Sequence, residues 1–153
     1  MKSCIIYKTF KDEYKIVAQC ETSAGYLLAV TPVFIIPVNC SDEDLFSTIL
    51  KVLNNSTEKV KAPARDDFPE LQKKMLIDLQ EKSFTKLYTG STSCEIRVKD
   101  KILCIYPNTL LTAGKPRDGL SWIEEDKVVI EENAVNVDNL VLQVKELLGR
   151  KYY

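Results

Sequence analysis

No histidine occurs anywhere in this sequence. Histidine is the only side chain whose unperturbed pKa lies near neutrality, so its absence removes Ser-His-Asp and Cys-His triads, histidine-pair nuclease sites and most catalytic zinc sites. A C-x-x-C pair is missing too, and the five cysteines (Cys4, Cys20, Cys40, Cys94 and Cys104) are odd in number. That pattern fits neither a secreted disulfide framework nor a zinc ribbon, and it suits a reducing cytosol. Without a G-x-G-x-x-G, a Walker-type loop or an H-E-x-x-H, neither a dinucleotide cradle nor a metalloprotease helix is expected. No cofactor and no metal are expected.

Charge of one sign is also in short supply. Twenty-one basic residues face twenty-two acidic ones, for a formal charge of −1, so no global field draws the protein onto a polyanion. No run of five like charges marks a basic arm or an acidic tail, and direct nucleic-acid binding is not expected. The longest apolar run, residues 26–38, is interrupted by Pro32 and Pro37. A membrane-crossing helix needs about twenty apolar residues, so this run belongs in a core. The amino terminus lacks the apolar stretch and cleavage site of a signal peptide, and a cytoplasmic protein is the expectation.

What is present is ordinary globular composition. Apolar residues make up 45% and charged ones 28%, with only five glycines and six prolines among 153 residues. These values exclude low complexity and predict one folded domain, residues 1–153, with one core.

The first forty residues read as strands over 4–9, 14–20, 26–30 and 33–38, with turn chemistry at Lys11-Asp12 and 22–25. Pro32 and Pro37 cannot donate to a ladder, which places the last of these strands at an edge or bulge. Ser41 is a helix cap followed by Asp42, Glu43 and Asp44 and by an apolar stripe of Leu45, Phe46, Ile49, Leu50 and Leu53. Asn54-Asn55 ends that helix, and residues 59–67 connect it to a second. The second helix starts near Pro69 and runs to about Glu81, with Leu71, Met75, Leu76 and Leu79 inward. Strands follow over 84–89, 94–98, 102–106 and 122–130, the last broken by acids, with Lys99-Asp100-Lys101 as a hairpin turn. A closing helix over 137–148 stops at Gly149. The order ββββ, αα, ββββ, α lacks regular βα alternation. It predicts an α+β fold in which a mostly antiparallel or mixed sheet of about seven to eight strands packs with three helices.

Chemistry-bearing candidates are few. Four cysteines lie in predicted strands and read as small buried hydrophobes; Cys40, before a helix start, is the one whose pKa a helix end would lower. Asp66-Asp67 would be a thin cation site and reads better as a solvated pair. Residues 111–119 form a loop in which Lys115, Arg117 and Asp118 either project as a binding surface or are simply solvated. Beyond it, Trp122 stands next to Ile123 and the carboxylates Glu124, Glu125 and Asp126. An aromatic anchor beside charges is an interface pattern. The alternative is a core tryptophan followed by an acidic turn.

The segments Ile6-Tyr7-Lys8-Thr9-Phe10 and residues 14–20, together with the loop over residues 113–119 and Trp122, resemble the immunity proteins of bacterial contact-dependent growth inhibition systems. The resemblance implies a non-enzymatic cytoplasmic protein that binds the carboxy-terminal domain of a cognate toxin, commonly a nuclease, and blocks it stoichiometrically. The family's contact positions vary between pairs, so the toxin-binding candidates come from the residues themselves: Lys115, Arg117, Asp118, Trp122, Glu124, Glu125 and Asp126, the acids meeting a basic nuclease cleft. Asp42, Glu43 and Asp44 form a second acidic cluster, which the dipole of their helix alone accounts for. The competing expectation is a small enzyme or ligand-binding domain that holds an anionic ligand at the Lys115–Arg117 loop. The oligomeric state is not legible.

Overall fold

The computed structural model describes residues 1–150, and a single antiparallel sheet organises them. Its strands are β1 (Lys2–Thr9), β2 (Glu13–Glu21), β3 (Leu27–Pro37), β4 (Ser91–Lys99), β5 (Ile102–Leu110), β6 (Leu120–Trp122) and β7 (Val128–Glu131). The spatial order is β3-β2-β1-β4-β5-β6, and β7 also pairs with β5. Strand β1, from the start of the chain, lies between β2 and β4, so both halves of the sequence build one sheet.

Among the described residues four α-helices cover the sheet: α1 (Asp42–Asn54), α2 (Phe68–Leu79), α3 (Phe84–Thr89) and α4 (Val137–Leu148). The α+β class holds, with seven strands, but the helices number one more than expected because residues 84–89 are helical. Their aromatic and β-branched composition favours a strand. Local capping and packing override it. Ser83 Oγ accepts a hydrogen bond from the Lys86 amide at 3.1 Å, and Phe84 and Tyr88, four apart, bring their rings to 6.0 Å.

The helices divide between the two faces. Cys4, Ile6, Ile16, Ile96 and Ile105 point to the face where α1 and α4 supply Leu45, Ile49, Leu140 and Val144, and this is the larger core. Ile5, Tyr7 and Val17 point the other way, against Met75 and Leu79 of α2 and Leu87 of α3. A strand buried on both faces must be apolar at successive positions, which is why residues 4–7 show no alternation. Lys15 is an exception to the apolar rule at 3% exposed. Its ammonium donates to the Leu79 carbonyl at 2.6 Å and to Glu81 Oε1 at 2.8 Å, tying β2 to the end of α2.

Local signals bound the helices, the Ser41 cap as expected and the Asn136 cap as a finding of the structure. Ser41 caps α1 by accepting from the Asp44 amide at 3.1 Å, and Asn136 and Asn139 form a reciprocal capping box on α4. The predicted strands 26–30 and 33–38 are one strand, β3, at the sheet edge; its register against β2 jumps between Val30 and Val33. Thr31 and Pro32 occupy that irregularity, where a missing backbone donor costs no ladder bond.

Candidate functional site

The second half of the sheet carries the residues of interest on the face opposite the larger core. Antiparallel pairing sets Glu95 opposite Tyr106, Arg97 opposite Cys104, and Cys104 opposite Val129. It also sets Asn108 opposite Trp122. All of these side chains therefore share one face.

At its centre is an ion pair. Arg97 donates from Nε and Nη2 to Glu95 Oε2 at 3.1 and 2.9 Å. Glu95 is 6% exposed, and burial pushes its carboxyl above the usual range, an effect opposed by the Arg97 charge and by hydrogen bonds from Arg97 and Gln19. The same guanidinium lies 4.3 Å from the Trp122 ring centroid and 5.7 Å from that of Tyr106. Tyr106 and Trp122 meet edge-on with centroids 6.4 Å apart. Asn108 Nδ2 donates to Ser93 Oγ at 3.1 Å further along the face.

Trp122 is 46% exposed, so it is not a core residue. It stands at one wall of a cleft of about 800 Å³, whose lining also includes Arg97, Arg117, Asp118, Leu71 of α2 and Tyr88 of α3. Most of the cleft is apolar, with a few polar groups converging at this wall. Arg117 and Asp118 reach it because a 3₁₀ turn over Pro116–Asp118 folds the loop back. The Leu111 amide closes the loop by donating to the Gly119 carbonyl at 2.9 Å. Gly119, at φ 93°, supplies the left-handed turn required there. Lys115 is exposed on the loop and is not part of the cleft lining.

The acidic stretch has a specific geometry. Trp122 pairs with Asn108 and Val128 with Ile105, so residues 123–127 stand where only residues 106 and 107 oppose them. The surplus chain bulges out of the edge strand. Glu124, Glu125 and Asp126 are exposed on that bulge, and Glu124 pairs with Lys127.

Of the seven residues singled out from sequence, the structure brings Arg117, Asp118 and Trp122 together on the cleft wall. Glu124, Glu125 and Asp126 sit on the neighbouring bulge, and Lys115 stands apart from the cleft. Glu95, Arg97 and Tyr106 were missed. The strict alternation Cys94-Glu95-Ile96-Arg97-Val98 put Glu95 and Arg97 on one face, and that was the available signal.

The remaining candidates have structural explanations. Cys40 does not carry a lowered pKa: burial pushes its thiol up, and Asp44 and Asp42 add to the rise. Cys4 and Cys94 are fully buried, and burial raises both thiols. In the second acidic cluster, Asp42 is bonded to Lys145 of α4 at 2.7 Å, joining the two helices of the larger core. Asp66 and Asp67 are exposed in a 3₁₀ turn leading into α2. No helix among the described residues is long and apolar enough to cross a membrane.

Comparison with known proteins sets this architecture in context. No protein-family profile matches the chain, and no curated protein matches it. Among solved structures, a protein of unknown function from Neisseria meningitidis has a TM-score of 0.69 at 16% identity, covering 97% of this chain and 94% of that one. A chain from a CdiA-CT/CdiI toxin and immunity complex of Yersinia pseudotuberculosis has a TM-score of 0.66 at 14% identity, covering 96% of this chain and 94% of that one. At these identities the likeness establishes a shared fold.

Proposed function

We propose that this chain is a cytoplasmic immunity protein of the contact-dependent growth inhibition type, which binds the toxin domain of a cognate system and neutralises it by stoichiometric occlusion. The observation that carries this reading is the fold likeness along 96% of the chain to a chain from a toxin and immunity complex. The residues add support of a different kind. Trp122 is a half-exposed aromatic held by a cation, and beside it three carboxylates bulge from a sheet edge. A fixed aromatic anchor flanked by charge is the combination that dominates protein interfaces. Lys115, Arg117 and Asp118 lie on the neighbouring loop and extend that surface. A nuclease is the toxin class whose basic substrate cleft such carboxylates fit best. On this reading the protein carries out no reaction of its own.

Expressing a candidate cognate toxin domain, with and without this protein, tests the proposal. Restored growth and co-purification of a one-to-one pair are expected. Growth arrest that persists with this protein abundant and folded would sink it.

One observation favours a second reading. The cleft beside Trp122 has the size and the mixed apolar and polar lining of a small-molecule site, with Arg97 and Arg117 as candidate partners for an anionic group. Turnover or small-anion binding in the absence of any toxin would move this reading to first place.

A further inference from the structure

Helices α2 and α3 gather over Ile5, Tyr7 and Val17, and so cover the β1–β2 part of their face. The β5–β7 part of the same face is left open among the described residues. Ile102 is 43% exposed, Trp122 46% and Val129 53%. Cys104 and Tyr106 lie between them, partly exposed. Exposed apolar residues scattered singly need no explanation, but these sit on adjacent strands and adjoin one another.

The charge along the β7 edge of this patch has one prevailing sign. Residues 124–132 contain the exposed carboxylates Glu124, Glu125, Asp126, Glu131 and Glu132 against one lysine, Lys127, which pairs with Glu124. The β4–β5 hairpin, Lys99-Asp100-Lys101, returns only part of the balance. A chain with a formal charge of −1 thus concentrates negative charge at one edge of an apolar face. Trp122 is held within the patch by Arg97, itself held by Glu95, so it has less freedom to lose when a partner arrives.

We infer that this open face of β5 and β7, with Trp122 as its anchor and the acids as its rim, is a docking surface for a protein partner presenting lysine or arginine around an apolar centre. The inference rests on the immunity reading for the partner's identity and deepens it by extending the contact from Trp122 and the acids across the open face of β5 and β7, with an apolar centre on the partner to match. A second copy of this chain is disfavoured by the same charges, because a two-fold contact here would set carboxylate against carboxylate.

The test is hydrogen exchange on the purified complex with the candidate cognate toxin domain, combined with titrations of two variants. Val129→Asp alters the patch, and Ile77→Asp alters an apolar position on α2 outside it that is more exposed still, at 68%. Protection of residues 102–106 and 120–132 is expected. Val129→Asp should weaken affinity at least tenfold while Ile77→Asp leaves it unchanged, and affinity should fall with added salt. A tight wild-type complex with protection confined to α1, α4 or β3, and full affinity in Val129→Asp, would overturn the placement while leaving the immunity reading intact. No wild-type complex at all would remove both. Dimerisation of the free protein that Val129→Asp abolishes would assign the face to self-association and overturn the inference.

Discussion

Arg97 fixes the position of Trp122: its guanidinium lies 4.3 Å from the indole centroid while Nε and Nη2 are held by Glu95 Oε2 at 3.1 and 2.9 Å. Trp122 is the only tryptophan in the chain, so its fluorescence reports this contact without interference. Arg97→Ala should shift its emission to the red and cost about 3 kcal/mol, since it leaves Glu95 buried without its counter-charge. Trp122→Ala should cost less, about 1 kcal/mol, because half of its surface is already wet and the lost cation–π contact is a modest one. Chemical denaturation of the two variants checks the order.

Glu95 should make stability depend on pH in an unusual direction. Burial raises its carboxyl above 4.5 in the folded protein, so between that value and the raised one the folded state binds more protons than the unfolded one. The slope of unfolding free energy against pH is therefore negative in that window. The contribution of Glu95 is most favourable at low pH, declines as pH rises through the window, and is flat above it. Glu95→Gln cannot titrate, so the stability of wild type minus that of Glu95→Gln should fall as pH rises from about 4, and denaturation curves across pH 4 to 8 measure it. A difference that rose with pH would place Glu95 in a different environment.

The larger core and the surface of the same helix should respond differently. Leu140 of α4 is fully buried whereas Leu142 is 62% exposed. Leu140→Ala should cost about 2–5 kcal/mol from lost burial and the cavity left behind. Leu142→Ala should stay within about 0.5 kcal/mol of wild type. Thermal melts distinguish the two.

At the end of α2, Gln80 has φ 55°, and its amide donates to the Ile77 and Leu76 carbonyls. A left-handed residue closing a helix favours glycine. Gln80→Gly should raise stability by up to about 1 kcal/mol, because the side chain's conflict with that conformation is relieved. The neighbouring bond from Lys15 to the Leu79 carbonyl holds the same turn in place.

What the sequence disclosed and what it did not separate along a physical line. Helices α1 and α4 were legible to within a residue or two because Ser41, Gly149 and the apolar stripes act over one or two turns. The edge position of β3 was legible because Pro32 and Pro37 lack a backbone donor. Helix α3 was not, since its composition is that of a strand and its packing against Tyr7 lies far off in sequence. Nor was the division of helices between two faces, which depends on pairings between β1 and β4 that no local pattern records. The candidate site shows the same split. Trp122 and its acids stood out as neighbours in the chain, whereas Arg97 meets Trp122 only through strand register. Lys115 stood out by charge alone and does not reach the cleft.

The proposed function is neutralisation of a toxin by binding it. It is tested most directly by calorimetric titration of the purified toxin domain with this protein, read alongside the toxin's activity in the same samples. Saturation at one-to-one, with activity falling to zero at the same equivalence point, is the expected result. Full toxin activity in the presence of excess folded protein, with no heat of binding, would contradict it.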